Sequence, residues 1–267
     1  MKVKSDLLYK SFFISLVAFA IIAAIVLANL YFARIAIDPE ARESNILIGL
    51  VDGRDIISLT LVHCNPQKNA LTFLPIPDNT MLSDGKILQS LYSIGRPNQL
   101  IQSLENITGA IVHRYIFFSV DAMGQLVDSL GNFEYLIRSP FNFNNYEYSG
   151  NVSMSGDVAK AMFTYKYYDK SKVSMSLIGE AFIQSFLSKY GNISNSSKIT
   201  DLIIKSSKDY RINTNLSSEE IHKYSYFISN FSLLAKQSIS IAGESKTGSS
   251  ITYFVPENYK TNKNIFK

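Results

Sequence analysis

Asp52, Arg54 and Asp55 stand together in the stretch Val51-Asp52-Gly53-Arg54-Asp55. Two carboxylates one short loop apart can share a hard divalent cation, Mg²⁺ above all where a phosphate lies beside it. An arginine between them can hold phosphate oxygens through two parallel hydrogen bonds. The same residues also suit a solvated turn closed by a salt bridge, and D-G-R-D alone does not separate the two. Elsewhere the chemistry is thinner. His63, His113 and His222 have no metal-ligand spacing and read as structural, and there is no nucleophile elbow, Walker loop or G-x-G-x-x-G. Cys64 is the single cysteine, which excludes an internal disulfide and a Cys-rich zinc site. Arg114 is either a solvated charge at a strand mouth or a ligand clamp. Tyr165, Tyr167 and Tyr168 around Lys166 can line an apolar groove with one cationic head, or pack as an edge.

The elements that must carry these residues follow from periodicity. Asn45 to Leu50 reads as a strand running into the acidic turn, Ile56 to Cys64 as a second, and Ala70 to Ile76 as its hairpin partner across Asn65 to Asn69. Ile87, Leu88, Leu91 and Ile94 recur at helical spacing; Pro97 opens a further helix with Leu100, Ile101, Leu104 and Ile107 on one face, ended by Gly109. Ile111 to Val120 is dense in β-branched and aromatic residues and predicts a buried strand, followed by a helix capped by Asp121 and stopped by Gly131. Phe133 to Ile137 reads as strand and Ser139 to Asn151 as loop. Ser155 caps a helix, Val173 to Tyr190 forms another, and Asn192 to Ser197 is a polar loop. Ser217 with Glu220 makes a capping box for a helix to about Leu234, and Ser238 to Ala242 and Ser250 to Val255 flank a final turn. Strands alternating with helices predict an α/β fold.

The chain has 267 residues, 46% of them hydrophobic, enough to bury a sizeable core. A net charge of +4 suits an anionic surface or phosphorylated ligands but is no nucleic-acid footprint. Residues 1–10 carry Lys2, Lys4 and Lys10 against Asp6; residues 11–33 are apolar for about the length that crosses a bilayer. Lysines before this run and mixed charges after it predict a single-pass anchor, N-terminus in the cytoplasm and the remainder outside the cell membrane. A cleaved signal peptide ending near Ala28 is the alternative. Residues 34–44 then form a linker, 45–260 one extracytoplasmic domain and 261–267 a polar tail.

The order of segments carries more than any one of them. After the apolar run come N-I-L-I-G-L-V-D-G-R, L-V-H-C-N-P-Q-K-N-A-L-T-F-L-P-I-P-D-N-T, G-K-I-L-Q-S-L-Y-S-I-G, H-R-Y-I-F-F-S-V-D-A-M-G-Q-L-V-D-S-L-G-N and M-S-G-D-V-A-K-A-M-F-T-Y-K-Y. This succession resembles the LytR-CpsA-Psr family of bacterial envelope proteins. The resemblance implies an α/β/α sandwich with a mixed central sheet on a membrane anchor. It implies a phosphotransferase that moves glycopolymer from a polyprenyl-pyrophosphate carrier to peptidoglycan, with an apolar slot for the prenyl tail and cations at its mouth. On this reading Asp52, with Asp55 as the nearest surrogate for a second carboxylate, holds Mg²⁺, and Arg54, Lys86 and Lys166 are catalytic. Arg54, Lys86, Arg114 and Lys166 bind the pyrophosphate and should converge on one small ligand. The chain also departs from the pattern: family arginines fall on Asp78, Thr164 and Lys166, and no Arg or Gln occurs between Val173 and Glu180. A lysine keeps the charge but not the bidentate fork. The alternative implied is a descendant that binds the lipid or polymer as a non-enzymatic accessory protein.

Overall fold

The computed structural model describes residues 43–77, 79–95, 97–168, 174–247, 252–257 and 266. The expected anchor, its N-terminal lead, most of the linker and tail, and Asp78 lie outside the described residues. No helix among the described residues is long and apolar enough to cross a membrane.

Strand β1 (Ser44–Asp52) is apolar on both faces: Ile46 and Leu50 are buried towards one side, Leu47 and Val51 towards the other. Such a strand belongs in the middle of a covered sheet. It turns through Gly53 and Arg54 into the antiparallel β2 (Asp55–Asn65), with Gly53 at φ 60, where a side chain would be strained. Antiparallel β3 (Ala70–Pro75) follows. Helices α1 (Ser90–Gly95) and α2 (Pro97–Thr108) then cover one face, where Leu91, Leu100, Leu104 and Ile107 pack on Leu47, Leu59, Leu61 and Phe117. The crossover returns the chain as β4 (Arg114–Ser119), parallel to β1 and directly beside it.

From β4 the chain enters α3 (Val120–Leu130). Its cap is Ser119, whose Oγ accepts from the Ala122 N–H at 3.0 Å, and not the expected Asp121. Asp121 sits instead in the first turn, where a carboxylate favours the positive end of the helix dipole. Next comes a long hairpin of β5 (Phe133–Phe143) and β6 (Tyr146–Met154), where the sequence predicts a loop over 139–151. The remaining elements are α4 (Gly156–Thr164), α5 (Met175–Tyr190), α6 (Ile193–Lys208), β7 (Ile212–Thr214), α7 (Ser218–Ser229), a 3₁₀ turn Phe231–Leu233, β8 (Ala235–Ser238), β9 (Gly243–Thr247) and β10 (Thr252–Pro256). Helix α6 replaces the expected polar loop; its buried positions include Ser196 and Thr200, which hide it from an apolar count. Residues 243–247, expected as a turn, pair with β10.

The main sheet has the order β7-β4-β1-β2-β3-β8 and is mixed, with β1 and β4 parallel, β3 and β8 parallel, and the other neighbours antiparallel. Helices α3, α5, α6 and α7 cover the face opposite α1 and α2, giving the three layers expected of an α/β/α sandwich.

Candidate functional site

Two concavities border the end of β1. The first is a polar hollow of about 400 Å³ bordered by Val51, Asp52 and Gly53 at the end of β1, Ser119 to Asp121 at the end of β4, Phe143, and Asp157, Lys160 and Thr164 of α4. It lies where two parallel neighbouring strands finish and their helix begins, the position at which open α/β sheets place ligands. Its cation is Lys160, which sequence reasoning passes over. The Lys160 Nζ is 2.9 Å from Asp157 and 3.9 Å from Asp121, and the Asp157 hydrogen bond, ahead of all other causes, raises its pKa. Lys160 reaches the hollow because α3 and α4 pack closely: a Cβ on Gly124 would come within 2.9 Å of Lys160 Cγ. Asp128 of α3 accepts the Gly156 N–H at 2.7 Å and ties the start of α4 to the same place. A lysine inside an amphipathic helix looks like any solvated charge, so only the M-S-G-D-V-A-K spacing behind a capping serine could have drawn the eye.

The second concavity is an apolar cavity of about 220 Å³ between the sheet and helices α3, α5, α6 and α7. Its floor is Ile46, Ile48 and Leu50 of β1 with Val62 and Phe118; its roof includes Phe182, Ile183 and Phe227. Leu50 lines the cavity and Val51 and Asp52 line the hollow, so both border the last residues of β1. Cys64 lies at the far end, fully enclosed, its thiol pushed up to about 12 by burial and therefore neutral.

Asp52 and Asp55 are cross-strand partners, one on each side of the two-residue turn, so their side chains share a face of the hairpin. Neither carboxylate has an ion pair or hydrogen bond among the described residues. Two unpaired like charges set opposite each other suit Mg²⁺, which takes one or two carboxylates and completes its shell with water and phosphate. No group of three or more His, Cys, Asp or Glu side chains placed to enclose a metal exists among the described residues. The donor set thus fits a phosphate-bridged cation and not an all-protein cage.

The expected convergence of four cations does not occur. Arg54 is exposed at the tip of the hairpin beside Asp52. Lys166 is exposed two residues beyond Thr164, just outside the wall of the hollow. Lys86 is tied to Asp84 at 2.7 Å in the turn after β3, and Leu82 and Leu88 flanking it pack in the layer under α1 and α2. Arg114 does not join the hollow. It opens β4 opposite Ile46, whereas the hollow lies at Ser119 opposite Val51, five residues along the strand or roughly 17 Å at ~3.3 Å each. There its Nε donates to Glu220 at 2.7 Å, and that carboxylate holds the guanidinium in its charged form. Glu220 is the capping-box acid of α7, so this arginine fastens a helix to the sheet. His63 and His113 bracket Asn45, which donates its N–H to His113 Nδ1 at 3.0 Å and has its Oδ1 2.8 Å from His63 Nδ1, a structural role.

Comparison with known proteins supports the same architecture. A transferase of Halalkalibacterium halodurans, named polyisoprenyl-teichoic acid–peptidoglycan teichoic acid transferase TagU, is 28% identical over 142 residues, covering 48% of this chain and only 46% of that relative. Bacillus subtilis TagV superposes with a TM-score of 0.67 at 18% identity, covering 85% of this chain and 94% of that one. TagT bound to LI-WTA superposes with a TM-score of 0.62 at 17% identity over 85% and 89%. At such identities these likenesses establish the fold. The LytR_cpsA_psr family model matches residues 40–266, essentially the whole domain built around the two concavities, and the chain belongs to that family.

Proposed function

We propose that this protein works in cell-wall assembly, holding a polyprenyl-pyrophosphate-linked glycopolymer by its isoprenoid tail and transferring the polymer to peptidoglycan. The observation that carries this reading is the apolar cavity lined by β1 up to Leu50, two residues before Asp52 of the polar hollow. An isoprenoid chain is a branched hydrocarbon, and a slot lined by Ile, Leu, Val and Phe with almost no polar atoms offers it the transfer free energy of leaving water. With the tail seated, the pyrophosphate falls at the hollow. Mg²⁺ held there by Asp52 and Asp55 would neutralise charge on the phosphate oxygens. Arg54 would reach the same anion from the hairpin tip, with Lys160 and Lys166 beside it, each stabilising charge that grows as a sugar hydroxyl loses its proton and attacks the polymer-linked phosphorus, the P–O–P bond breaks and polyprenyl phosphate leaves. Lys86 and Arg114 are left out of this step. An N-terminal span in the cell membrane, with the domain outside the cytoplasm, would keep the cavity within reach of lipid-borne substrate.

A second reading has its own observation. Of the four expected phosphate ligands, Arg114 is held at the other end of β4 by Glu220, and Lys86 is paired with Asp84. A descendant with the cavity but a depleted cation set would bind the lipid carrier without turning it over, as an accessory protein. Mass spectrometry of lipid extracted from the purified protein, followed by a Mg²⁺-dependent turnover assay with a polyprenyl-pyrophosphate-linked substrate, separates the two. Bound lipid with turnover supports the transferase, and bound lipid without turnover the accessory role. Neither reading survives if no lipid binds.

A further inference from the structure

The β5–β6 hairpin carries more aromatic surface than its packing requires. At its tip Phe141 pairs across with Tyr148 and Phe143 with Tyr146, which puts all four rings on one face. Asn144 and Asn145, at φ 50 and 62, close the tip as a turn whose twist matches the strands, so the register is fixed. The rings continue off the hairpin onto the segment after α4. Phe141 and Tyr148 stack with centroids 5.3 Å apart, Phe141 and Tyr165 are 6.0 Å apart, and Tyr165 and Tyr167 are 5.5 Å apart. The strip therefore runs from Tyr146 to Tyr167 and touches the polar hollow through Phe143, which forms part of its wall.

Phe141 is buried and explains itself as core, but the ends are not core. Tyr146 is 73% exposed and Tyr167 is 84% exposed. Clustered exposed aromatic surface marks an interaction site. The neighbouring groups select the partner. Asn144 and Asn145 at the tip are exposed amides, each able to donate and to accept, which matches hydroxyl groups and not a phosphate backbone. Flat rings beside amides suit a ligand with apolar faces and hydroxylated edges, repeating at about the spacing of these rings.

We propose that this strip binds a saccharide chain, its pyranose faces stacked on Tyr146, Tyr148, Tyr165 and Tyr167 and its hydroxyls bonded to Asn144 and Asn145. Phe143 makes the strip continuous with the hollow, so the glycan leads to the reacting phosphate. The inference rests on the proposed function for its direction, though not for the binding itself.

The test uses the full-length protein and its Tyr146→Ala, Tyr167→Ala, double and Tyr210→Ala variants, with folding checked by circular dichroism. The probe is peptidoglycan glycan strands freed of peptide and lipid, followed by calorimetry and by tyrosine fluorescence, which is unobscured because the chain has no Trp. The double variant should bind about tenfold more weakly or worse, equivalent to ~1.4 kcal/mol, with Tyr210→Ala unchanged. Failure of the unaltered protein to bind the strands, or equal binding by the double variant, overturns the proposal. So does self-association that the double variant abolishes in the absence of any glycan affinity. Retained lipid is measured on the same preparations. Strand binding with no lipid would sink the proposed function and leave the strip standing; lipid without strand binding would do the reverse.

Discussion

Filling the cavity should separate lipid binding from stability. For a fully enclosed apolar cavity of about 220 Å³, ~24 cal/mol per Å³ sets an upper bound on the order of 5 kcal/mol. That is a large part of the net ~5–15 kcal/mol that holds a domain together. Ile183 of α5 projects into this cavity and is only partly covered by its neighbours. Ile183→Trp replaces void with ring, and the added buried surface contributes ~1–2 kcal/mol after modest repacking. In lipid-stripped protein the variant should melt ~2–8 °C above the unaltered chain, at ~2–4 °C per kcal/mol for this size. The same variant should copurify with little or no lipid, and polyprenyl phosphate should raise the melting temperature of the unaltered protein alone. Differential scanning calorimetry with lipid mass spectrometry reads both effects. A variant that melts lower and still carries its full complement of lipid would refute the reasoning, because the cavity would then be neither a cost nor a binding site.

Asp52→Asn or Asp55→Asn removes a like-charge cross-strand pair, so each should stabilise the metal-free protein by ~0.2–1 kcal/mol and abolish any rise in melting temperature on adding Mg²⁺; thermal scans with and without the ion check this. Lys160→Met should weaken binding of pyrophosphate at least tenfold in calorimetry, whereas Arg114→Ala should lower stability and leave that binding unchanged. Glu220 is held below the usual carboxylate range, chiefly by the Arg114 hydrogen bond and then by the Ser217 N–H. Its contribution is therefore present above the unfolded pKa of about 4.3 and fades as pH falls through the folded value. Glu220→Gln keeps the cap but loses the ion pair, so in urea titrations it should cost less than about 1 kcal/mol at pH 7 and nothing in acid. Glu180 behaves oppositely: burial raises its pKa against hydrogen bonds from Ser238 and Gln184. Stability from its protonated form is complete below the unfolded pKa and lost as pH rises through the folded one, so Glu180→Gln should raise the urea midpoint at pH 7 and not at pH 4.

The sequence alone determined whatever depends on near neighbours. The apolar run of β1, the helix Pro97–Thr108, the Ser217–Glu220 capping box and the Gly131 stop are all local features, and the structure has them as the sequence implies. The acidic turn was legible for the same reason, since two residues of hairpin fix Asp52 against Asp55. Where a side chain's partner is remote, local pattern carries no information. Arg114 looks like a ligand until β4 is laid parallel to β1, which sends it to the opposite end of the sheet from Asp52 and onto Glu220, 106 residues along the chain. Lys160 looks like solvent-facing charge until α4 packs on Gly124 and turns it into the hollow. The β5–β6 hairpin hid although β6 alternates, with Tyr148, Val152 and Met154 towards the core and Glu147, Ser149, Asn151 and Ser153 exposed, because Asn142, Asn144, Asn145, Gly150 and Asn151 have the composition of a loop. Tertiary structure decided which charges meet, because Coulomb and hydrogen-bond energies depend on distance in space, and a crossover connection sets that distance without regard to position in the chain.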